Sequence, residues 1–173
     1  MDPVMLVLRL FHIVAGVLWV GSAFLFTGFI GPSAAEVAPT AGPLLSVAVK
    51  KRRVARVISW LSITTVIAGW LIWLRYVLSM GSAMDFIGTP FGLVLTIGGI
   101  LATIAAYVGI TGIGRNVERL VDLGDTIAAS GGPPTAEQAA QLQHLGSELE
   151  RHGKVDLVLL LLAVAAMATA RYW

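Results

Sequence analysis

The stretch from Phe91 to Ile113 reads FGLVLTIGGILATIAAYVGITGI and decides the fold, because it has no charged residue and is apolar on every side of a helix. A helix crosses the roughly 30 Å hydrocarbon core of a bilayer with about 20 mostly apolar residues. A helix on the surface of a soluble protein would instead show one apolar stripe opposite a polar face. This stretch therefore predicts a membrane-spanning helix.

Three further stretches have the same character, at Val4–Ile30, Val57–Met80 and Val155–Tyr172. The chain is 57% hydrophobic and only 13% charged, which is too little charge for a water-exposed surface. The first stretch is longer than the apolar core of a signal peptide, which favours a span. The last carries Asp156 and Arg171 near its two ends, and both side chains are expected to reach toward the interfaces. We predict an all-α fold, a four-helix transmembrane bundle that forms one domain over residues 1–173.

Basic residues predict which side of the membrane each connection faces. Cytoplasmic loops carry the excess of Lys and Arg, and here the first and third connections are basic whereas the second has only Arg75 nearby. Both termini then face outward, and the net charge of +2 indicates orientation rather than a nucleic-acid partner. The basic residues are Lys50, Lys51, Arg52, Arg53 and Arg56 in the first connection, and Arg115, Arg119, Arg151 and Lys154 in the third.

Proline and glycine predict the course of the first connection. Gly31-Pro32 is expected to end the first helix, and Pro43 is placed to begin a helix that runs into the second span. The segment Leu44–Arg56 then either lies on the membrane surface or forms the inner end of that helix.

The third connection, residues 114–154, is predicted to be a cytoplasmic helical hairpin that extends the third and fourth spans. Its break falls at Ser130–Pro134, and Thr135 and Gln138 form a capping-box pattern after it. Apolar residues recur at helical spacing on both sides of the break. The two stripes either bury each other or provide a docking surface for a partner.

Small and polar residues predict the faces by which the spans meet, since helices in lipid approach closely where side chains are small. In the first span this face aligns His12 with Gly16, so the imidazole is expected to look into the bundle. The predicted stripes are Arg9, His12, Gly16, Trp19 and Ala23 in the first span, Ser62, Thr65, Gly69, Trp73 and Tyr76 in the second, and Gly92, Thr96, Gly99, Thr103 and Ala106 in the third.

His12 is the first candidate for a binding site, because an ionisable group inside a span is a functional candidate by default. It lies roughly 12 Å along the helix from the outer end. Met167 of the antiparallel fourth span is expected at a similar level if the two helices are neighbours. Imidazole and thioether together ligate haem iron or copper(I). Alternatively, His12 donates to a backbone carbonyl or a hydroxyl group and Met167 fills space.

Arg9, Arg75 and Arg171 are all expected in the outer half of the bundle. Guanidinium groups there can bind carboxylates, including haem propionates, by bidentate pairing. The alternative is that they extend to the lipid phosphates. Arg9 shares the predicted face of His12 and is the strongest candidate of the three.

The other histidines do not predict a metal site. His144 and His152 are about 12 Å apart along one helix, too far for a single ion, whereas His152 and Asp156 are spaced to form a hydrogen bond. The sequence has no hydrolase motif and no nucleotide-binding motif. Whether the protein is an enzyme stays open, and redox chemistry is the candidate activity.

Two segments carry a resemblance to a known group. Arg9-Leu10-Phe11-His12-Ile13 followed by Trp19-Val20-Gly21 resembles the opening helix of the CopD-like and HemJ-like small bacterial membrane proteins, and Arg151–Asp156 followed by Met167–Tyr172 looks like related four-span members. The resemblance implies a four-helix bundle in a bacterial-type cytoplasmic (inner) membrane. HemJ-like members oxidise protoporphyrinogen and bind haem, and CopD-like members are linked to copper handling. For His12 the resemblance therefore implies a haem, porphyrin or copper role.

Two functions follow as expectations. In the first, His12 binds haem b, with a copper or iron centre as the alternative, and the protein has a redox or metal-handling role. The cofactor site would then consist of His12, Arg9, Met167, Arg75 and Arg171. In the second, the protein is a non-catalytic accessory subunit of a larger membrane complex. Lipid is the expected surrounding in both, and a homo-oligomer or a larger complex is the expected assembly. A transporter is disfavoured because the two halves show no inverted repeat.

Overall fold

The computed structural model describes residues 2–173, and these residues contain four helices long and apolar enough to cross a membrane. No strand occurs in this part of the chain. The predicted all-α fold is therefore confirmed. The long helices are α1 (Pro3–Glu36), α3 (Val54–Met80), α5 (Pro90–Ser130) and α6 (Ala136–Tyr172), and the connections contain α2 (Ala38–Ser46, continued by a π-helical turn at Val47–Lys51) and α4 (Ala83–Ile87).

The four long helices pack as a closed ring, in which α1 contacts α3, α3 contacts α5, α5 contacts α6 and α6 contacts α1. The contacts of α1 with α3 and of α5 with α6 are the most extensive. Trp19, Ala105 and Leu160 are almost fully buried where the helices meet. Leu10, Phe11 and other large apolar side chains point outward and are exposed. Such a surface suits the hydrocarbon core of a bilayer.

Beyond the spans, α5 and α6 continue side by side as an antiparallel hairpin, as predicted. Gly131 reverses the chain with φ 69°. The Thr135 hydroxyl then accepts from the Gln138 N–H while the Gln138 side chain accepts from the Thr135 N–H, which completes the capping box. Val121 and Leu145 are buried, so at these positions the two apolar stripes cover each other. We call this end of the bundle the hairpin end and the opposite end, which holds α4, the α4 end.

The first helix differs from the prediction, because it continues through Gly31-Pro32 as far as Glu36. A proline ring normally clashes with the carbonyl group four residues earlier, here that of Gly28. A π-helical turn at Phe26–Ile30 ends two residues before the proline. The wider π turn moves that carbonyl away from the ring, so the helix passes Pro32 without ending.

The segment after Pro43 does not form the inner end of the second span, which was one of the two predicted alternatives. Pro43 lies inside α2, and the chain breaks at Arg53, which adopts a left-handed conformation with φ 53° before α3 begins. The helix α2 packs instead against the extension of α5, where Lys50 forms an ion pair with Asp122 at 2.8 Å. The connection is therefore a part of the hairpin end in its own right.

Hydrogen bonds between α3 and α5 confirm the predicted stripe of the third span. Trp70 Nε1 donates to Thr103 Oγ1 at 3.0 Å, and Trp73 Nε1 donates to Thr96 Oγ1 at 2.8 Å. Next to this seam, Phe86 of α4 is 1% exposed and closes the α4 end of the bundle. A second stripe of small residues on α5, which the sequence did not single out, consists of Gly98, Ala102 and Ala105. Gly98 meets α6 directly, and Ala102 and Ala105 are buried.

Candidate functional site

The imidazole of His12 lies at the seam of α1 and α3, directly against Gly69. A Cβ atom at Gly69 would be 2.8 Å from His12 Cε1, so only glycine leaves room for the ring. Nδ1 lies 2.8 Å from the carbonyl oxygen of Thr65 and donates to it, since a carbonyl group can only accept. In the neutral ring Nε2 is then the unprotonated nitrogen. Within residues 2–173, Nε2 has no hydrogen-bond partner.

Two arginines of the predicted site lie toward the α4 end from His12. Arg9 donates from Nη2 to the hydroxyl group of Tyr76 at 2.7 Å, and Arg75 pairs with the carboxylate of Asp2. A guanidinium group has several N–H donors in a planar fork. Each arginine therefore keeps donors for an anion after making the contact described.

The other two residues of the predicted site lie on α6 and face different neighbours. Met167 packs against α5, where a Cβ atom at Gly98 would be 3.1 Å from its Cγ. Arg171 lies over the ring of Tyr172, with its Cζ 4.9 Å from the ring centroid. The five predicted residues thus fall into two groups, with Arg9, His12 and Arg75 at the α1–α3 seam and the other two on α6.

The hydrogen bond of the His12 imidazole has a form that is common among metal-binding histidines. Histidines that bind a metal commonly donate their second ring N–H to a backbone carbonyl, as His12 does to Thr65. The sequence has no Cys, and among the described residues no three His, Asp or Glu side chains form a group suited to a metal ion.

A hollow of about 220 Å³ opens beside the arginine that shares the His12 face, lined by Asp2, Met5, Leu6 and Arg9. Pockets for drug-sized ligands typically have about 300–1,000 Å³. The hollow is therefore smaller than such pockets, and its charged lining consists of one carboxylate, Asp2, and one guanidinium group, Arg9.

A second polar cluster joins α2 to the hairpin. Lys50 Nζ lies 2.6 Å from Asp125 Oδ2, and the Ser46 hydroxyl donates to the same carboxylate at 2.9 Å. Hydrogen bonds to Asp122 and Asp125 raise the pKa of Lys50 above its ordinary value. The hydrogen bonds from Lys50 and Ser46 lower the pKa of Asp125.

The predicted hydrogen bond between His152 and Asp156 does not form. His152 Nδ1 lies 2.8 Å from the carbonyl oxygen of Glu148, one turn earlier on α6. Asp156, which we expected to reach toward the interface, is instead 3% exposed. The cause is the direction of this face of α6, which turns toward α5 at a point where Gly109 leaves room for the carboxyl group.

The partners of the predicted site were not identified from the sequence, although they lay on the predicted stripe of the second span. Thr65 accepts from His12, Gly69 leaves room for its ring, and Tyr76 accepts from Arg9. The spacing of these residues along the two helices was the signal that could have identified the partners. Arg9 lies about one turn before His12, and Tyr76 lies about two turns after Gly69, so antiparallel helices bring the two pairs together.

The four spans and their small-residue seams define a multi-pass membrane protein built as a helical bundle. No family model, curated protein or solved structure matches this chain. Function is therefore inferred from the side chains at the seams of the bundle.

Proposed function

We propose that this is a small membrane protein that binds haem b through Nε2 of His12, with a copper or iron centre as the alternative, and that it serves a redox or metal-handling role. The hydrogen bond from His12 to the Thr65 carbonyl carries the proposal, because it orients the ring and leaves Nε2 as a ligand. The resemblance of the first span to CopD-like and HemJ-like proteins agrees with this role.

Each residue of the seam has its own part in the proposal. His12 would hold the iron or copper, which supplies one-electron redox chemistry when bound. Gly69 keeps the space for the imidazole, and Arg9 and Arg75 would bind the anionic groups that accompany a haem. Met167 and Arg171 remain candidates from the other side of the bundle.

The test is the absorption spectrum and the metal content of the full-length protein purified from its own membranes. We expect a Soret band, or stoichiometric copper without it, that is lost in His12→Ala. The His144→Ala variant is the matched control, because His144 is an exposed imidazole in the hairpin. A colourless preparation without stoichiometric iron or copper would overturn the proposal, as would a centre that His12→Ala leaves in place.

We also propose that the hairpin end faces the cytoplasm of a bacterial-type inner membrane, since the basic residues of the connections cluster there. The natural chain has no Cys, so single-cysteine variants report the side directly. A membrane-impermeant maleimide should label Ser79→Cys in intact cells and Ser147→Cys only after the membrane is opened. The reverse pattern would invert the proposed orientation.

A role as an accessory subunit is the second candidate, and the exposed face of α1 is the surface that a partner chain would cover. Of the 18 most apolar consecutive residues, 11% are buried in α1, against 28% in α6. A partner helix or lipid can cover this face equally well. Extraction in a mild detergent distinguishes the two, because an accessory subunit should co-purify in fixed ratio with partner chains, whereas a solitary monomer would exclude the role.

A further inference from the structure

Asp156 is a buried carboxyl group that takes no part in the site at His12. It is 3% exposed, and its Oδ1 is fully buried and has no hydrogen-bond partner within residues 2–173. It forms none of the ion pairs found in that part of the chain. A charged carboxylate without a partner is among the most costly groups to bury. The protonated acid is neutral and avoids most of this cost.

The backbone opposite Asp156 is unusual. Helix α5 forms a π-helical turn over Gly109–Gly114, and the Asp156 carboxyl lies against its first residue, with Oδ1 3.7 Å from where a Cβ atom of Gly109 would be. Single π-helical turns inside α-helices occur frequently at functional sites. The turn and its glycines leave room for polar side chains of α6 at a point where the span would otherwise be packed with apolar ones.

Two titratable groups continue from Asp156 toward the hairpin end on the same face of α6. His152 lies one turn before it and Glu148 one turn further, at intervals of about 6 Å along the axis. The His152 side chain is 26% exposed and that of Glu148 28%, and His152 Nδ1 lies 3.6 Å from Glu148 Oε2. The three groups therefore lead from a partly exposed surface to a buried acid.

The groups of α5 and α1 that meet this face at its glycines are uncharged. From α5 it meets Gly109 and Gly112, and from α1 it meets the Thr27 hydroxyl, 3.0 Å from where a Cβ atom of Gly153 would be. Arg56 of α3 and Arg115 of α5 belong to the same end of the bundle and form no ion pair with Asp156 among the described residues. The charged neighbours along this face are His152 and Glu148, both on α6, and Glu148 also pairs with Arg151 of the same helix at 3.7 Å.

We propose that Asp156 is a proton-binding site, which exchanges its proton with the hairpin side of the membrane through His152 and Glu148. The carboxyl group is protonated in its resting state, and loss of the proton leaves a buried charge that the neighbouring helices must move to solvate. The proposal is independent of any centre at His12, because the two groups lie on different helix seams.

Dicyclohexylcarbodiimide tests the site in full-length protein in membranes, since this apolar reagent enters lipid and reacts with protonated carboxyl groups. Mapping by mass spectrometry should find the stable adduct on Asp156. Labelling should slow about tenfold per pH unit above its midpoint, because only the protonated form reacts. A water-soluble carbodiimide should instead label the exposed Asp122 and Glu150. The Asp156→Asn variant should lose the lipid-phase adduct.

Infrared spectroscopy of the wild-type chain gives a second readout that needs no variant. A carboxylic acid C=O band should be present at neutral pH, disappear as the pH rises, and be absent in Asp156→Asn. After a pH jump the band should change several-fold more slowly in His152→Leu, whereas His144→Leu should behave as wild type. A merely structural role for His152 would leave this rate unchanged and would overturn the proposed route.

Three results would overturn the binding site itself. The first is the absence of both the adduct and the acid band between about pH 5 and pH 8. The second is equal labelling of Asp85, an acid at the α4 end. The third is protection of Asp156 by sodium ions at constant pH, which would identify a metal cation as the ligand in place of the proton.

Discussion

The α1–α3 pair and the α5–α6 pair each place an imidazole against a glycine of the neighbouring helix, yet the two rings are held differently. His12 lies against Gly69 and donates across the seam to the Thr65 carbonyl of α3. His152 lies against Gly112 of α5, but its Nδ1 bonds to the Glu148 carbonyl of its own helix. The first ring therefore ties two helices together, whereas the second does not.

At both seams a glycine of the facing helix provides space for a polar side chain. Whether that helix also offers an acceptor decides whether the side chain is hydrogen-bonded. At the α1–α3 seam the donor finds an acceptor on the facing helix. At the α5–α6 seam the carboxyl group of Asp156 meets Gly109 and finds no partner in the described residues. The α1–α3 seam is therefore hydrogen-bonded between its helices. The α5–α6 seam retains an ionisable group, and packing elsewhere must offset the free energy that its burial costs.

The largest expected effect is that of Gly69→Ala. The new Cβ would lie 2.8 Å from His12 Cε1, so the ring must leave and its hydrogen bond to Thr65 is lost. Overpacking and the lost hydrogen bond together should lower the free energy of unfolding by roughly 3 kcal/mol. Titration of detergent-solubilised protein with a denaturing detergent, followed by circular dichroism, measures the change.

Two other glycines serve as controls for this prediction. Gly112→Ala places its Cβ 3.0 Å from ring atoms of His152, which is partly exposed and able to shift, so the loss should be smaller. Gly21→Ala meets nothing within 4 Å and should be neutral or slightly stabilising. Equal losses for Gly69→Ala and Gly112→Ala would refute the difference between the two seams.

The second expected effect is a change in the free energy of unfolding that has opposite signs at the two seams. Asp156→Val removes a buried polar group without a partner and should raise the free energy of unfolding by about 1–3 kcal/mol. His12→Leu removes a satisfied donor, leaves the seam without its hydrogen bond, and should lower the free energy of unfolding by about 1 kcal/mol. The same denaturation experiment measures both. A loss of stability in Asp156→Val would show that its carboxyl group has a partner.

The sequence predicted the parts of the fold that depend on local physics. The length of each apolar stretch fixed the spans, and the Thr135–Gln138 capping box marked the start of α6, because both signals lie within one helix. Thr96 and Thr103 identified the face of α5 toward α3. The face toward α6 was missed, since Gly and Ala line both sides of α5 and the spacing alone does not separate them.

The rest depends on contacts between distant segments. A proline was expected to stop the first helix, but a π-helical turn before Pro32 moves the clashing carbonyl away. Asp156 was expected at the interface because its depth was judged from its position in the span, whereas its burial depends on Gly109 of another helix. At the candidate site the sequence identified His12, and only the packing of α1 on α3 revealed Thr65 as its partner.

The smallest expected effect on stability belongs to the ion pair of Lys50 and Asp125. Both groups have hydrogen-bond partners, as His12 does, but both side chains are exposed. Ion pairs between exposed groups contribute little and are screened by salt. The pKa of Asp125 is lowered by Lys50 and Ser46, so its contribution is present above the ordinary value of 3.8 and is lost as the pH falls through the folded-state pKa. The pKa of Lys50 is raised by Asp122 and Asp125, so its contribution is lost only as the pH rises beyond 10.5.

A double-mutant cycle with Lys50→Met and Asp125→Asn isolates this pair. The coupling should be small at neutral pH, disappear in acid, and shrink at about 1 M salt, where the Debye length is only about 3 Å. Lys154→Met is the control, because Lys154 pairs with Glu150 one turn away on the same helix and links no separate elements. A coupling that persists at high salt would mean that α2 shields the pair from water, and this cluster would then resemble the α1–α3 seam more than a solvated surface.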